Sequence, residues 1–346
     1  MNIYEIAKCA GVSPATVSRV LNGTAPVKAE TRLRVLQVVQ EQHYIPNLAA
    51  KNLSSQNVSN NIGLFVPDMD NPFFGAITKC VTQIADRYRY NVFLFNTDEM
   101  PEREHRFLET VKEQNLKGII MIPLSGEDKE TERYLLEIEQ AHVPVVLIDR
   151  RIGNSVFDSV FTDDEEDAYR AVQVLIRAGH RKIATIAGPQ RSSPGFSRLQ
   201  GYRRALAAGG IAVPEEYIRI GNFKFQMAYE QTNQLLDLPD RPTAVFTSNN
   251  FSTLGALQSI CEHGLKVGTD ISILGFDEIE RWQWYPWVMH TGTELSLVER
   301  PVKQMAEEAM GLLQDRITGQ IRSSHARRKM VLSNDIVLRG SERLGK

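Results

Sequence analysis

The chain has 346 residues, 42% of them hydrophobic and 24% charged, the balance of a water-soluble globular protein with two or three domains at roughly 100–200 residues each. No apolar run approaches the roughly 18 residues of a membrane span, the N-terminus lacks a secretory pattern, and Cys9, Cys80 and Cys261 are too few and scattered for a disulfide framework or a zinc site. A cytoplasmic protein with three small buried thiols is expected.

The net charge of −2 is uneven: residues 1–60 hold six basic and three acidic side chains, which leaves −5 for the rest. A mildly basic head on an acidic body suits a phosphate-contacting module joined to one that has no such role. "IYEIAKCAG" places Ile3, Ile6, Ala7 and Ala10 on one face and stops at Gly11, a natural helix C-cap. "VSPATVSRVLN" follows, with Ser13 as N-cap and Pro14 at the first helical position, where no N–H is needed. Val17, Val20 and Leu21 then fall on one face while Ala15, Thr16 and Arg19 point elsewhere. Two short helices joined by "GVS" make a helix-turn-helix, whose second helix can enter the major groove of DNA. Two ordinary packed helices with a polar outer face would show the same pattern. A third amphipathic helix is marked by Leu33, Leu36, Val39 and His43 and should end before Pro46. Residues 47–53 form at most a short helix, and 54–61 are rich in Ser, Asn and Gln and read as a linker.

The texture then changes. "IGLFVP" (62–67), "NVFLFNT" (91–97), "GIIMIP" (118–123) and "VPVVLID" (143–149) are short apolar runs, separated by helical patterns starting near Pro72, Pro101 and Lys129. The alternation resumes after about residue 160 with "KIATIAG" (182–188), "YIRIG" (217–221), "TAVFTSN" (243–249) and "ISILGFD" (271–277). Strands buried on both faces and alternating with helices imply parallel sheets. The fold class expected is therefore an all-α helix-turn-helix head plus an α/β core of two doubly wound parallel-sheet lobes, with a cleft at the carboxyl ends of the strands. Polar residues gather at those ends: Asp68, Asp70 and Asn71; Asp149, Arg150 and Arg151; Asn249 and Asn250; and Asp277. Each is also a common turn or cap residue, but their convergence favours a binding cleft.

Taken together, these pieces resemble the lac repressor family of bacterial transcription regulators. The resemblance runs from "IYEIAKCAGVSPATVSRVLNG" through "HYIPNLAAKNL", "IGLFVPDMDNPFF", "VVLIDRR", "AGHRKIATIAGP", "SRLQGYRRAL" and "AVFTSNN" to "ISILGFDEI". It implies a homodimeric repressor that reads palindromic operator DNA under the control of a small-molecule effector. The implied division is 1–46 for the head, 47–60 for a hinge helix and linker, and 61–346 for the core. One core lobe is expected at about 61–160 and 293–322, the other at about 161–292 and 323–346.

Carried over by position, Pro14, Ala15, Thr16 and Arg19 lie on or near the recognition surface. Arg19 is the candidate for a bidentate guanine contact and Ala15 for a thymine methyl. Ser13, Thr16, Ser18 and Asn22 read as phosphate or capping groups. Leu53 matches the family's leucine that wedges between bases at the operator centre, with Lys51 beside it in the minor groove. A segment as short as 47–53 is not stable as an isolated helix, so it is expected to order only over the operator. The effector positions are Phe73, Phe74, Asp149, Arg150, Arg198, Phe223, Asn250 and Asp277. Aromatic faces, guanidinium, amide and carboxylate groups suit a sugar or sugar acid; a purine could use the same types.

The chain departs from the family pattern in places. Asn249-Asn250 stands where Asn-Asp is usual, and Arg300 stands where a glutamine often precedes the proline, here Pro301. The stretch after Asp277 is long and holds Trp282, Trp284 and Trp287, expected to cover apolar surface near the lobe crossover. No leucine heptads follow "RGSERLGK", which favours a dimer over a coiled-coil tetramer. An enzyme fits poorly: there is no GxGxxG after a strand, no P-loop, no HExxH and no GxSxG. His142, His180 and His263 lack a plausible nucleophile partner, so no catalytic residue, metal ligand or cofactor is assigned. A transport binding protein with the same two lobes would have no use for residues 1–53.

Overall fold

The structure is a computed structural model that describes residues 2–22, 25–44, 60–111, 113–153, 156–278, 294–320 and 326–343. The hinge segment with Lys51 and Leu53, and Trp282, Trp284 and Trp287, lie outside the described residues. The chain divides into two units, Met1–Ser59 and Asn60–Lys346.

In the first unit, helix α1 (Ile3–Ala10) begins with a capping box. Asn2 Oδ1 accepts from the N–H groups of Tyr4 and Glu5, and Glu5 Oε2 accepts from the Asn2 N–H at 2.8 Å. Gly11 ends it in left-handed backbone, φ 64°, which a residue without a Cβ adopts freely. Helix α2 (Pro14–Asn22) starts at the expected proline, with Ser13 Oγ accepting from the Thr16 N–H at 3.2 Å. Helix α3 (Ala29–Glu41) closes a small core of Ile6, Ala7, Ala10, Val17, Val20 and Val35.

The third helix corrects its expected face. Leu33 is 70% exposed and Leu36 41%, while Val35 is fully buried with Val38 and Val39 packed beside it. Apolar residues at 33, 35, 36, 38 and 39 cover more than one face, so spacing alone admits two phases. The phase that matches α1 and α2 wins. The helix also stops at Glu41, and His43 follows outside it at φ 46°.

In the second unit, strands form two six-stranded sheets among the described residues. The first runs β11 (Lys329–Leu332), β5 (Asp158–Thr162), β4 (Val145–Ile148), β3 (Ile119–Met121), β1 (Asn61–Val66), β2 (Asn91–Asn96), all parallel. The second runs β12 (Asp335–Val337), β10 (Ser296–Glu299), β9 (Ser272–Phe276), β8 (Ala244–Thr247), β6 (Ile183–Ala187), β7 (Ile218–Ile220). Only β12 is antiparallel to its neighbour there.

Alternate residues of each strand feed helices on opposite faces, as a period of two requires. In the first lobe Ile62, Leu64 and Val66 pack with α4 (Pro72–Arg87) and α11 (Val302–Ile317), whereas Phe65, Ile119 and Met121 pack with α5 (Pro101–Val111) and α6 (Lys129–Gln140). In the second, Ile183, Ala187 and Phe246 pack with α7 (Asp164–Arg177) and α8 (Ser193–Ala208). Ala184, Ile186 and Val245 pack on its other face with α9 (Phe225–Leu236) and α10 (Asn250–Glu262).

The lobe boundaries near the C-terminal end differ from expectation. Residues 296–299 lie in the second sheet rather than with the first lobe, and 329–332 lie in the first sheet rather than with the second lobe. The chain therefore crosses three times, after β5, after β10 and after β11. The thiols also differ: Cys9 is exposed and Cys80 and Cys261 are half-buried. No described helix is long and apolar enough to cross a membrane.

Candidate functional site

In the head, α2 turns Val17 and Val20 inward, so Ala15 and Arg19 are exposed and Pro14, Thr16 and Ser18 half-buried. Ser13 Oγ lies 2.9 Å from Thr16 Oγ1 and also caps the helix. Asn22 is the last helical residue. The exposed face thus pairs one guanidinium with a small apolar residue, flanked by hydroxyls.

In the core, the carboxyl ends of the strands of both lobes face one cleft. Two aspartates mark equivalent places in it. Asp149 follows β4 and Asp277 follows β9, at φ 69° and 70°. Each N–H bonds the carbonyl of the adjacent strand, Val160 and Val298 respectively, at 3.0 Å. Left-handed backbone is costly for most residues but tolerated by Asp, and both carboxylates are buried.

Three buried arginines surround them. Arg150 forms a two-bond fork with Glu99 at 2.7 and 3.2 Å and lies over the Phe74 ring. Arg198 bonds Asp164 through Nε and Nη2, donates from Nη1 to the Ser248 carbonyl, and stacks 3.6 Å from the Phe276 centroid. Arg300 pairs with Asp149, sits 3.7 Å from Asp277 Oδ1 and stacks 4.1 Å from the Phe73 centroid. Burial opposes the Arg300 charge, but Asp149, Asp277 and Asp164 outweigh it and hold its pKa above the ordinary value. Burial raises the pKa of Asp277, against the pull of Arg198 and Arg300.

Amides and rings complete the wall. Asn71 caps α4 and accepts from Asn250 Nδ2 at 3.0 Å, a bond that spans the lobes. Lys224 and Asp68 make a second cross-lobe contact at 2.5 Å. Asn249 caps α10 and reaches the Phe223 carbonyl. Phe223 lies so close to Gly188 that a Cβ there would sit 2.3 Å from the ring. The walls leave a half-open cavity of about 20 Å³, room for roughly one water.

Phe73, Phe74, Asp149, Arg150, Arg198, Phe223 and Asp277, all singled out in the sequence, line this cavity. Asn250 adjoins it through Asn71. Asn71, Asn249, Pro194 and Arg300 line it as well. Asn71 and Asn249 already stood out at strand ends. Arg300 did not, because β10 is a four-residue strand, SLVE, too short and too polar to read as one. Once β10 is known, Arg300 falls at a strand end like the others. His180, by contrast, is a buried structural residue bonded to Thr243 Oγ1 at 2.9 Å, and no His/Cys/Asp/Glu group among the described residues has a metal-binding arrangement.

Residues 2–47 match the family profile of bacterial regulatory proteins, lacI family, and 59–332 match that of periplasmic binding proteins and the sugar binding domain of the LacI family. HTH-type transcriptional regulator MalR of Clostridium butyricum is 33% identical over 99% of both chains. Catabolite control protein A of Priestia megaterium is 34% identical over 80% of this chain and 82% of its own. Among solved structures, the lac repressor dimer bound to operator and an anti-inducer superposes with TM-score 0.78 at 26% identity, covering 99% of both chains. A complex of the transcriptional regulator CelR with cellobiose gives 0.71 at 28% identity, again over 99% of both.

Proposed function

We propose, for a chain that belongs to the lac repressor family of bacterial regulatory proteins, that it is a homodimeric operator-binding repressor controlled by a sugar or sugar acid held between its core lobes. Its relatives are transcriptional regulators, not enzymes. The observation that carries the effector reading is the convergence of two strand-end aspartates, buried arginines and aromatic rings on one cleft. Rings cover the C–H faces of a pyranose, while the charged and amide groups bond its hydroxyls. CelR, similar over the whole chain, has been solved with cellobiose.

On the DNA side, exposed Arg19 reads a guanine and Ala15 a thymine methyl, with Ser13, Pro14, Thr16, Ser18 and Asn22 at the phosphates or the helix cap. Lys51 and Leu53 act in the minor groove at the centre of the site. Dimerisation uses β2, the edge strand of the first sheet, which leaves Phe93 and Leu94 about two-fifths exposed beside a strand edge that is unpaired among the described residues. The similar lac repressor is a dimer on its operator.

The test has two parts. Full-length protein should select a palindromic site from a random DNA pool, and Leu94→Glu should lower its mass in sedimentation. Calorimetry against a panel of sugars, sugar acids and nucleobases should give binding to a sugar or sugar acid, which Asp277→Ala abolishes. Selection of no palindrome, or binding of a nucleobase alone, would overturn the respective half of this reading.

A further inference from the structure

Arg300 differs from the other two cleft arginines in where its partners lie. Arg150 pairs with Glu99 and Arg198 with Asp164, each at 2.7 Å, and neither of those carboxylates lines the cavity; the same two arginines approach Asp149 and Asp277 only at 3.9 Å. The carboxylates that pair with Arg300 among the described residues are Asp149 and Asp277, and both line it. One guanidinium therefore bridges the strand-end aspartates of the two lobes. Its Nε–H has no acceptor, and Asp277 Oδ1 accepts no hydrogen bond among the described residues.

The cavity is far below the roughly 300–1,000 Å³ of ligand pockets, so an entering molecule has to take over space and partners now held by the residues that line it, Arg300 among them. The hydroxyls of a sugar would compete for the two aspartates, since ionised carboxylates are its strongest available acceptors. Arg300 is only 2% exposed in its side chain. A guanidinium so buried is left unpaired when its partners leave, and an unpaired buried charge is strongly unfavourable. A neutral sugar offers it only hydroxyl oxygens. A carboxylate or phosphate offers a matched charge with two acceptor oxygens.

We infer that Arg300 makes the cleft selective for an anionic sugar, bearing a carboxylate or a phosphate, over the neutral parent sugar, an inference that rests on the sugar-binding reading of this cleft. Arg300 is the residue that holds the anion. Asp149 and Asp277 are then released to the hydroxyls. The glutamine often found at this position in the family would carry no such preference.

Calorimetry on the full-length protein tests this with glucose, glucuronate and glucose 6-phosphate, and with the matching galactose set. The wild type should bind at least one anion roughly tenfold or more tightly than its neutral parent, the scale of one charged hydrogen bond. Arg300→Gln should erase that preference, and Arg300→Lys, which keeps the charge without the fork, should retain part of it. Whether the uronates or the phosphates bind identifies the anion. A wild-type preference for the neutral sugars, or an anion preference undiminished in Arg300→Gln, would overturn the assignment and leave the sugar reading intact. If Arg300→Gln does not fold, an anion preference in Arg300→Lys equal to the wild type's would overturn it equally. Failure of every sugar to bind any of the proteins would overturn the sugar reading and this inference with it.

Discussion

Glu104 has no solvent exposure, and its carboxylate accepts from Thr131 Oγ1 at 2.7 Å and the Leu124 N–H at 3.1 Å. Burial pushes its pKa from an ordinary 4.5 up to about 7. Between those values the folded protein holds a proton that the unfolded chain has released, so stability falls as pH rises through this window and then levels off. The loss is at most about 3 kcal/mol. Glu104→Gln should flatten this part of the pH profile of the core's urea midpoint between pH 5 and 8; an unchanged slope would place the titration elsewhere. Arg19→Ala should weaken operator binding by about 1–3 kcal/mol and relax one base-pair preference per half-site. Equal weakening on all sequences would make Arg19 a phosphate contact. Arg198→Ala should lower ligand affinity by roughly 2–5 kcal/mol in calorimetry, because a buried charge network loses its partner. Asn71, Asp149, Arg150, Asn249 and Asp277 were legible because strand ends show in the sequence, whereas Phe73, Phe74, Arg198 and Phe223 were placed by the family resemblance. Arg300 was hidden by the weak signature of its strand.

At the level of elements, legibility followed continuous apolar character. The helices that begin at Pro72, Pro101 and Lys129 were marked by N-terminal residues and by clear apolar spacing after them. The eight apolar runs became strands; six lie inside the sheets, where both faces are buried, and two, β2 and β7, lie at the edges and are only partly buried. β5, DSVFT, escaped because three of its five residues are polar, and so did β10, β11 and β12, with three or four residues each and mixed polar character. The partners of these last three are distant in sequence, so tertiary pairing rather than local preference makes them strands. The same limit hid the phase of α3. That phase is testable: Val35→Ala should cost about 1.5–3 kcal/mol through lost burial, whereas Leu33→Ala should stay within about 0.5 kcal/mol. Hydrogen exchange of head amides in the full-length protein reads both. Equal effects would mean that Leu33 is buried too.

Over the whole molecule, a basic head and an acidic core suit the proposed division between phosphate contact and ligand recognition. Operator affinity should fall linearly with salt on logarithmic axes. Regulation requires more than two sites on one chain, because a ligand shifts DNA binding only if it binds the DNA-competent and DNA-incompetent states with different affinity. The bonds spanning the lobes, Asn250 to Asn71, Lys224 to Asp68 and Arg300 between Asp149 and Asp277, are contacts that such states would exchange. Coupling of this kind typically amounts to about 1–3 kcal/mol and is reciprocal. Its direct test is operator affinity of the full-length protein, by fluorescence anisotropy, without ligand and at saturation with whichever sugar or sugar acid binds in calorimetry. A change of roughly 5–150-fold, matched by an equal change in ligand affinity when operator is present, is the predicted result; identical operator affinity at zero and saturating ligand would contradict effector control of DNA binding.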